Sequence, residues 1–158
     1  MSGKVEIKLL TECQAHIPVL ANLWFEEISK IWVPNSSVER ATQNLIRHSN
    51  TNKIPMTFVA SLDGKAIGMA SLRENDGIRP DLTPWLGSLV VDPAYRKRKV
   101  GETLINAIKK QAKQFFFNKI YLLAFDPTIP DWYSKLGWGK IGMDQLFDHP
   151  VTVMSTDI

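Results

Sequence analysis

Apolar residues change their spacing several times along the chain, and each change marks an element. Val5, Ile7 and Leu9 alternate with Glu6 and Lys8, the period of a strand with one buried face. Ile17, Leu20, Ala21, Trp24, Ile28 and Ile31 recur at helical spacing until Pro34 stops the pattern, which predicts one continuous first helix. Ser36 and Glu39 stand three positions apart ahead of Val38, Ala41, Thr42 and Leu45, so a capping box is expected to open a second helix. Met56 to Leu62 and Lys65 to Leu72 are β-rich and separated by Asp63-Gly64, a dipeptide that supplies the positive φ of a two-residue hairpin.

Arg73 to Pro84 is polar and holds two prolines, and it leads into the apolar run Trp85 to Val91, which stops at Asp92-Pro93. The expected reading is a loop followed by a buried strand. From Gly101, the residues Leu104, Ile105, Ile108, Ala112 and Phe115 share one helical face, with Lys109, Lys110 and Lys113 on the other. Lys119 to Phe125 reads as a further strand, Pro130 to Leu136 as a short helix closed by Gly137, and Trp138 to Met143 and Val151 to Ser155 as two final strands. The order is β-α-α-β-β-β-α-β-α-β-β. That describes one α/β (α+β) domain over residues 1–158, with a mostly antiparallel sheet and one parallel crossover between Trp85 and Phe125.

The chain has 158 residues, 44% of them hydrophobic, enough for one core without a metal or disulfide. It carries 19 Lys and Arg against 16 Asp and Glu, but four of the cations are consecutive, Arg96 to Lys99, and without them fifteen face sixteen. A nucleic-acid coat spreads its cations along a face; one local run suits a single polyanionic ligand, so no nucleic-acid partner is expected. Cys13 is the only cysteine, which excludes an internal disulfide and fits a reducing compartment. With no apolar stretch near ~20 residues, a soluble, cytoplasmic protein without a membrane partner is expected.

The basic run sits between a buried strand and an amphipathic helix. The first N–H groups of a helix lack internal partners and lie at the positive end of its dipole, so a diphosphate placed there meets several donors at once. Gly101 lets the backbone approach closely, and arginine adds fork-shaped pairing with phosphate oxygens.

The stretch Leu89-Val90-Val91-Asp92-Pro93-Ala94-Tyr95-Arg96-Lys97-Arg98-Lys99-Val100-Gly101-Glu102-Thr103-Leu104 resembles the acetyl-coenzyme A motif of the GNAT N-acetyltransferase superfamily, (Q/R)-x-x-G-x-(G/A). Arg96 and Gly101 match its ends, and Lys99 stands where the pattern has its first glycine. Trp132-Tyr133-Ser134-Lys135-Leu136-Gly137-Trp138 resembles the family's second signature, aromatic-Tyr-x-x-x-Gly-aromatic. The resemblance implies the GNAT fold, with the pantetheine arm between two splayed parallel strands, here Trp85 to Val91 and Lys119 to Phe125. It implies acetyl-CoA as cosubstrate, held by Leu89, Val90, Val91, Arg96, Lys97, Arg98, Lys99, Val100, Gly101 and Glu102. Asp126 takes the place where members often carry asparagine.

The implied reaction moves an acetyl group from the thioester to a primary amine of a small molecule or peptide by direct attack. An amine with a pKa near ~10.4 needs a base before it can attack, and the departing thiolate needs a proton. Tyr133 matches the family's proton donor to sulfur. Glu74, Asp76 and Asp81 are the base candidates, Glu74 the first choice. Trp85, Trp24 and Trp32 are candidates to line the acceptor pocket, Trp24 more naturally serving as core. A homodimer pairing through Val151 to Ser155 is a further expectation from the family.

Other patterns lack the right context. Gly137-Trp138-Gly139-Lys140-Ile141-Gly142 satisfies G-x-G-x-x-G but closes a helix and opens a strand, the reverse of a dinucleotide fingerprint. No phosphate-loop or G-x-S-x-G motif is present. His16, His48 and His149 have no metal-ligand or triad spacing, and Cys13 is no covalent carrier. The rival readings are a non-catalytic acyl-CoA sensor or scaffold and a small nucleic-acid binder.

Overall fold

The computed structural model describes residues 4–158. Seven strands, β1 (Val5–Leu9), β2 (Met56–Leu62), β3 (Lys65–Arg73), β4 (Trp85–Val91), β5 (Lys119–Ala124), β6 (Gly139–Leu146) and β7 (His149–Asp157), form one sheet in the order β1-β2-β3-β4-β5-β7-β6. Every neighbouring pair is antiparallel except β4 and β5. This is the mixed sheet with one parallel crossover that the residue pattern predicts.

Helix α4 (Val100–Gln114) makes that crossover. It buries Val100, Leu104, Ile105, Ile108 and Ala112 against Met56, Ile67, Ala70 and Leu72 on one face of the sheet. Burying each leucine or isoleucine fully contributes about 1.5–3 kcal/mol, so the stripe alone fixes the helix on the sheet. On the other face α1 (Ile17–Trp24) and α3 (Val38–Arg47) pack Leu20, Ala21, Ala41 and Leu45 against Val59, Met69 and Val90. With α4 packed on one face and α1 and α3 on the other, β3 is buried from Ala66 to Leu72.

Several details differ from the sequence reading. The first helix is interrupted: after Trp24 the backbone widens into a π-helical turn, Phe25–Ser29, before α2 (Lys30–Trp32). The cap of α3 is Ser37 rather than Ser36, its hydroxyl accepting from the Arg40 N–H at 3.1 Å. The last hairpin runs longer than its apolar core, because Phe147 and Asp148 both take left-handed φ, 53° and 64°, and make a tight turn without glycine. β7 lies between β5 and β6. Both its edges are already paired, so it cannot pair with a second copy in the way the sequence suggested.

The connection from Arg73 to β4 is anchored. Ile78 is buried with Trp85, Val151 and Val153, and Asn75 closes a turn by accepting from the Gly77 N–H and donating to the Ile78 carbonyl, at 2.7 and 2.9 Å. Trp85 is itself fully buried, its indole N–H donating to the Leu82 carbonyl at 2.7 Å, and is core rather than pocket wall. Among the described residues no helix is long and apolar enough to cross a membrane.

Candidate active site

β4 and β5 touch at one register pair, Trp85 with Tyr121, where the Tyr121 N–H donates to the Pro84 carbonyl at 3.0 Å. Beyond it they diverge. The cause lies in β4: its pairing with β3 slips between Met69 and Ser71, and Ser88 in the bulge has φ 53°. A bulge bends its strand and raises the local twist, which here turns the second half of β4 away from β5. A cleft of about 1600 Å³ opens between them, lined by Leu86 to Val91 on one side and Leu122 to Asp126 on the other. No strand of the described residues pairs with β4 beyond Trp85 on that side, so its peptide groups are available to a ligand.

The end of the cleft beyond β4 is the basic loop. The Asp92 carboxylate accepts from the Ala94 N–H at 2.9 Å and starts a short 3-10 turn, Pro93–Tyr95. The chain then reaches α4 through two left-handed residues, Lys97 and Lys99, with φ 66° and 62°. Lys99 is the N-cap and no side chain caps α4, which leaves the first-turn N–H groups open to an anion. Gly101 is constrained by a neighbour: a Cβ there would lie 3.2 Å from Cη2 of Trp132. The indole of α5 (Pro130–Lys135) thus packs directly on the start of α4.

Of the residues assigned to the cosubstrate from sequence, Leu89, Val90, Val91, Arg96, Lys97, Lys99, Val100, Gly101, Glu102 and Asp126 line the cleft. Arg98 does not. Its guanidinium lies 5.5 Å from the Tyr95 ring centroid. Arg96 spans the cleft, its Nη2 donating to Glu27 Oε1 at 2.8 Å and its Nε to the Val91 carbonyl at 3.2 Å. Asp126 Oδ1 accepts from both the backbone N–H and the hydroxyl of Thr128, and these bonds hold its pKa below the usual carboxylate value.

Tyr133 is 7% exposed and lines the cleft. Its ring is held between two indoles, edge-on to Trp132 at 4.9 Å and to Trp138 at 5.7 Å. The spacing of the second signature thus places an aromatic on each side of the tyrosine. Burial, and secondarily the negative charge of Asp76, push the phenol well above its ordinary pKa, so it stays protonated across the working range.

Of the three base candidates, Asp76 is the one that lines the cleft. Its side chain is 12% exposed and accepts from Arg73 Nη1 at 2.6 Å. Arg73 also donates through Nη2 to Ser88 Oγ, and its guanidinium covers Gly87, where a Cβ would sit 3.1 Å away. One arginine therefore ties the bulge of β4 to the carboxylate. Desolvation raises the Asp76 pKa, partly offset by the attraction and hydrogen bond of Arg73. Glu74, the first choice from sequence, is exposed and does not line the cleft. Arg73 ends β3 with its side chain turned inward, and the next residue points the other way. Asp81 is at the surface near Arg79, 3.6 Å away.

The opposite wall is aromatic. Trp32 stacks on Phe125 at 5.5 Å and Phe125 on Phe147 at 6.5 Å. Sequence reading missed Phe125 and Phe147 as wall residues: Phe125 follows β5, and only the long last hairpin brings Phe147 beside it. Trp24 is half-buried and lines the cleft as well as packing on the core.

A mixed seven-stranded sheet, split at its one parallel pair above an uncapped helix start, is the architecture of an acyltransferase that takes its acyl group from coenzyme A. The acetyltransferase (GNAT) family model matches residues 21–138, and the chain belongs to that family. It is an acyltransferase, with acetyl-CoA as cosubstrate. Solved structures of similar fold include an aminoglycoside 6'-N-acetyltransferase complexed with coenzyme A, at TM-score 0.75 and 18% identity over 96% of each chain. An acetyltransferase of Streptococcus agalactiae gives 0.74 and 19% over 98% of each. A ribosomal-protein-S18-alanine N-acetyltransferase of Escherichia coli gives 0.71 and 15%, over 98% of this chain and 94% of the other. Comparison with curated protein sequences returns no match.

Proposed function

We propose that the protein acetylates a primary amine by direct attack on acetyl-CoA, with Asp76 as base and Tyr133 as acid. The observation that carries this reading is that a carboxylate only 12% exposed and a phenol 7% exposed both line the cleft where β4 and β5 part. The coenzyme's diphosphate sits on the start of α4, under the N–H groups of Val100, Gly101 and Glu102 and the cations Arg96, Lys97 and Lys99. Arg98 adds attraction from outside the cleft. The pantetheine arm runs along the unpaired edge of Leu89, Val90 and Val91. Asp126, whose Oδ1 is already engaged, borders that arm at the end of β5.

The amine enters from the side of Asp76. The carboxylate accepts one ammonium proton, the nitrogen attacks the thioester carbonyl, the C–S bond breaks, the phenol of Tyr133 gives its proton to the leaving sulfur, and the second proton shed by the nitrogen restores the phenol. Arg73 opposes the rise that burial imposes on the Asp76 pKa, and fixes its position.

Two measurements test the reading. Acetyl-CoA at ~100 times its dissociation constant adds about 2.7 kcal/mol to a protein that binds it only when folded, and a simple polyanion at the same concentration does not reproduce that shift. Thiol release with an amine acceptor then falls by about one hundredfold or more in Asp76→Asn, whereas Glu74→Gln stays near the wild-type rate. Equal losses in the two variants would remove Asp76 from the mechanism. Stabilisation by acetyl-CoA without thiol release for any amine would favour a binding domain.

A further inference from the structure

The acceptor side of the cleft has its own chemistry. Arg73 is paired with Asp76 there, while Arg96, itself paired with Glu27, Lys97 and Lys99 belong to the coenzyme end. Two cations are left over on α3. Arg40, Asn44 and Arg47 stand at i, i+4 and i+7 on one face of the helix and all line the cleft. Among the described residues neither arginine is in an ion pair. Arg47 Nη2 donates to Asn44 Oδ1, which holds the guanidinium against its own helix. Glu39 also lines the cleft, from the flank of that face, one residue before Arg40. His48, next to Arg47 in sequence, feels the charges of both Arg47 and Arg73, which puts Arg47 on the side of the Arg73–Asp76 pair.

A second observation points to a polar ligand in the same cleft. Ser29 is 4% exposed, lines the cleft, and its hydroxyl is buried without a hydrogen-bond partner. It belongs to the π-helical turn, and such turns are frequent at functional sites. A buried hydroxyl left unpaired costs free energy unless a ligand completes it. The same cleft is lined by the stacked rings of Trp32, Phe125 and Phe147, which take an apolar or aromatic body.

We infer that the acceptor is an amine that also carries a carboxylate and an apolar body, of the amino-acid type, and not a polycation. This rests on the amine-acetylating reading above. Arg47 and Arg40 hold the carboxylate through charge-assisted hydrogen bonds, the aromatic wall holds the body, and the amine is left facing Asp76. A polyamine would bring its surplus positive charge against two unpaired arginines; besides the paired Asp76 and Glu27 the cleft offers it Glu39, and Glu102 and Asp126 at the parts assigned to the coenzyme.

The test is thiol release from acetyl-CoA with L-phenylalanine and L-tryptophan, their amides, phenethylamine, tryptamine and spermidine. The expected result is a kcat/KM for each amino acid about ten- to a hundredfold above that of its amide and its decarboxylated amine, as loss of one charge-assisted pair predicts. In Arg40→Gln/Arg47→Gln that ratio collapses toward unity through KM. Both arginines are exposed, and an unchanged melting temperature of the variant checks its folding. Turnover of spermidine, phenethylamine or the amides as good as that of the amino acids overturns the carboxylate inference and leaves the acetyltransferase reading standing. No thiol release with any of the seven amines overturns both.

Discussion

Lys99 occupies a backbone conformation that a lysine adopts only at a cost. Its φ of 62° is the left-handed region, which is about 1–2 kcal/mol unfavourable for an L-residue and open to glycine. This is the position where the GNAT pattern has its first glycine, so the pattern's residue and the observed geometry agree although the residue itself differs. Lys99→Gly relieves the strain and gives back part of it in unfolded-chain entropy. The net expectation is a gain of about 0.5–1 kcal/mol in unfolding free energy, read by urea denaturation; a loss would mean that the lysine side chain is itself structural. Tyr133 is tested by Tyr133→Phe, which keeps the ring between Trp132 and Trp138 and removes only the hydroxyl. Turnover should fall by about one to two orders of magnitude, as for a lost general acid, with acetyl-CoA affinity nearly unchanged in a thermal-shift titration. Equal turnover would assign the phenol a packing role.

The junction of α4 and α5 is where two separate motifs meet as elements. Gly101 and Trp132 lie 31 positions apart in sequence, yet a Cβ on the first would press on the indole of the second at 3.2 Å. Gly101→Glu therefore strikes twice: it displaces Trp132, and it puts negative charge at the helix start where the diphosphate belongs. The expected result is a dissociation constant for acetyl-CoA raised more than about tenfold, or about 1.4 kcal/mol, by calorimetric titration. Unchanged affinity would place the diphosphate elsewhere. Much of this architecture is legible in the residues. Asp63-Gly64 announces its hairpin and takes φ of 51° and 80°, and Leu104 to Ala112 announces the face of α4. The features that open the cleft leave no such trace. The bulge at Ser88 uses no glycine at the strained position, the π-helical turn after Trp24 keeps the apolar spacing of an ordinary helix, and the hairpin at Phe147-Asp148 turns without one. Asp76 and Glu74 are equivalent as letters in a polar loop. Only the inward turn of Arg73 and the burial of Ile78 decide which acid enters the cleft.

At the scale of the whole molecule, the site depends on α3 remaining docked, and its C-terminal cap carries a pH-sensitive group. His48 follows the last turn, its N–H bonded to the carbonyls of Asn44 and Leu45, while its Nδ1 is buried without a partner. Burial first, then the charges of Arg73 and Arg47, lower its pKa from 6.5 to about 3. The unfolded chain therefore binds a proton at His48 that the folded chain refuses between those two values. Its contribution to stability is complete above about pH 6.5 and is lost as pH falls toward 3, at about 1.4 kcal/mol per pH unit. Asp76 works in the opposite direction, because its raised pKa makes protonation easier in the folded state than in the unfolded one. The two are separated by substitution. His48→Gln should hold its melting temperature between pH 7 and pH 5 where the wild type loses about 2 kcal/mol, whereas Asp76→Asn should steepen the loss. A wild-type slope that His48→Gln leaves intact would show that the imidazole finds water or a partner in solution. A flattened slope would tie the docking of α3, and with it Arg40 and Arg47 at the acceptor side, to a neutral His48.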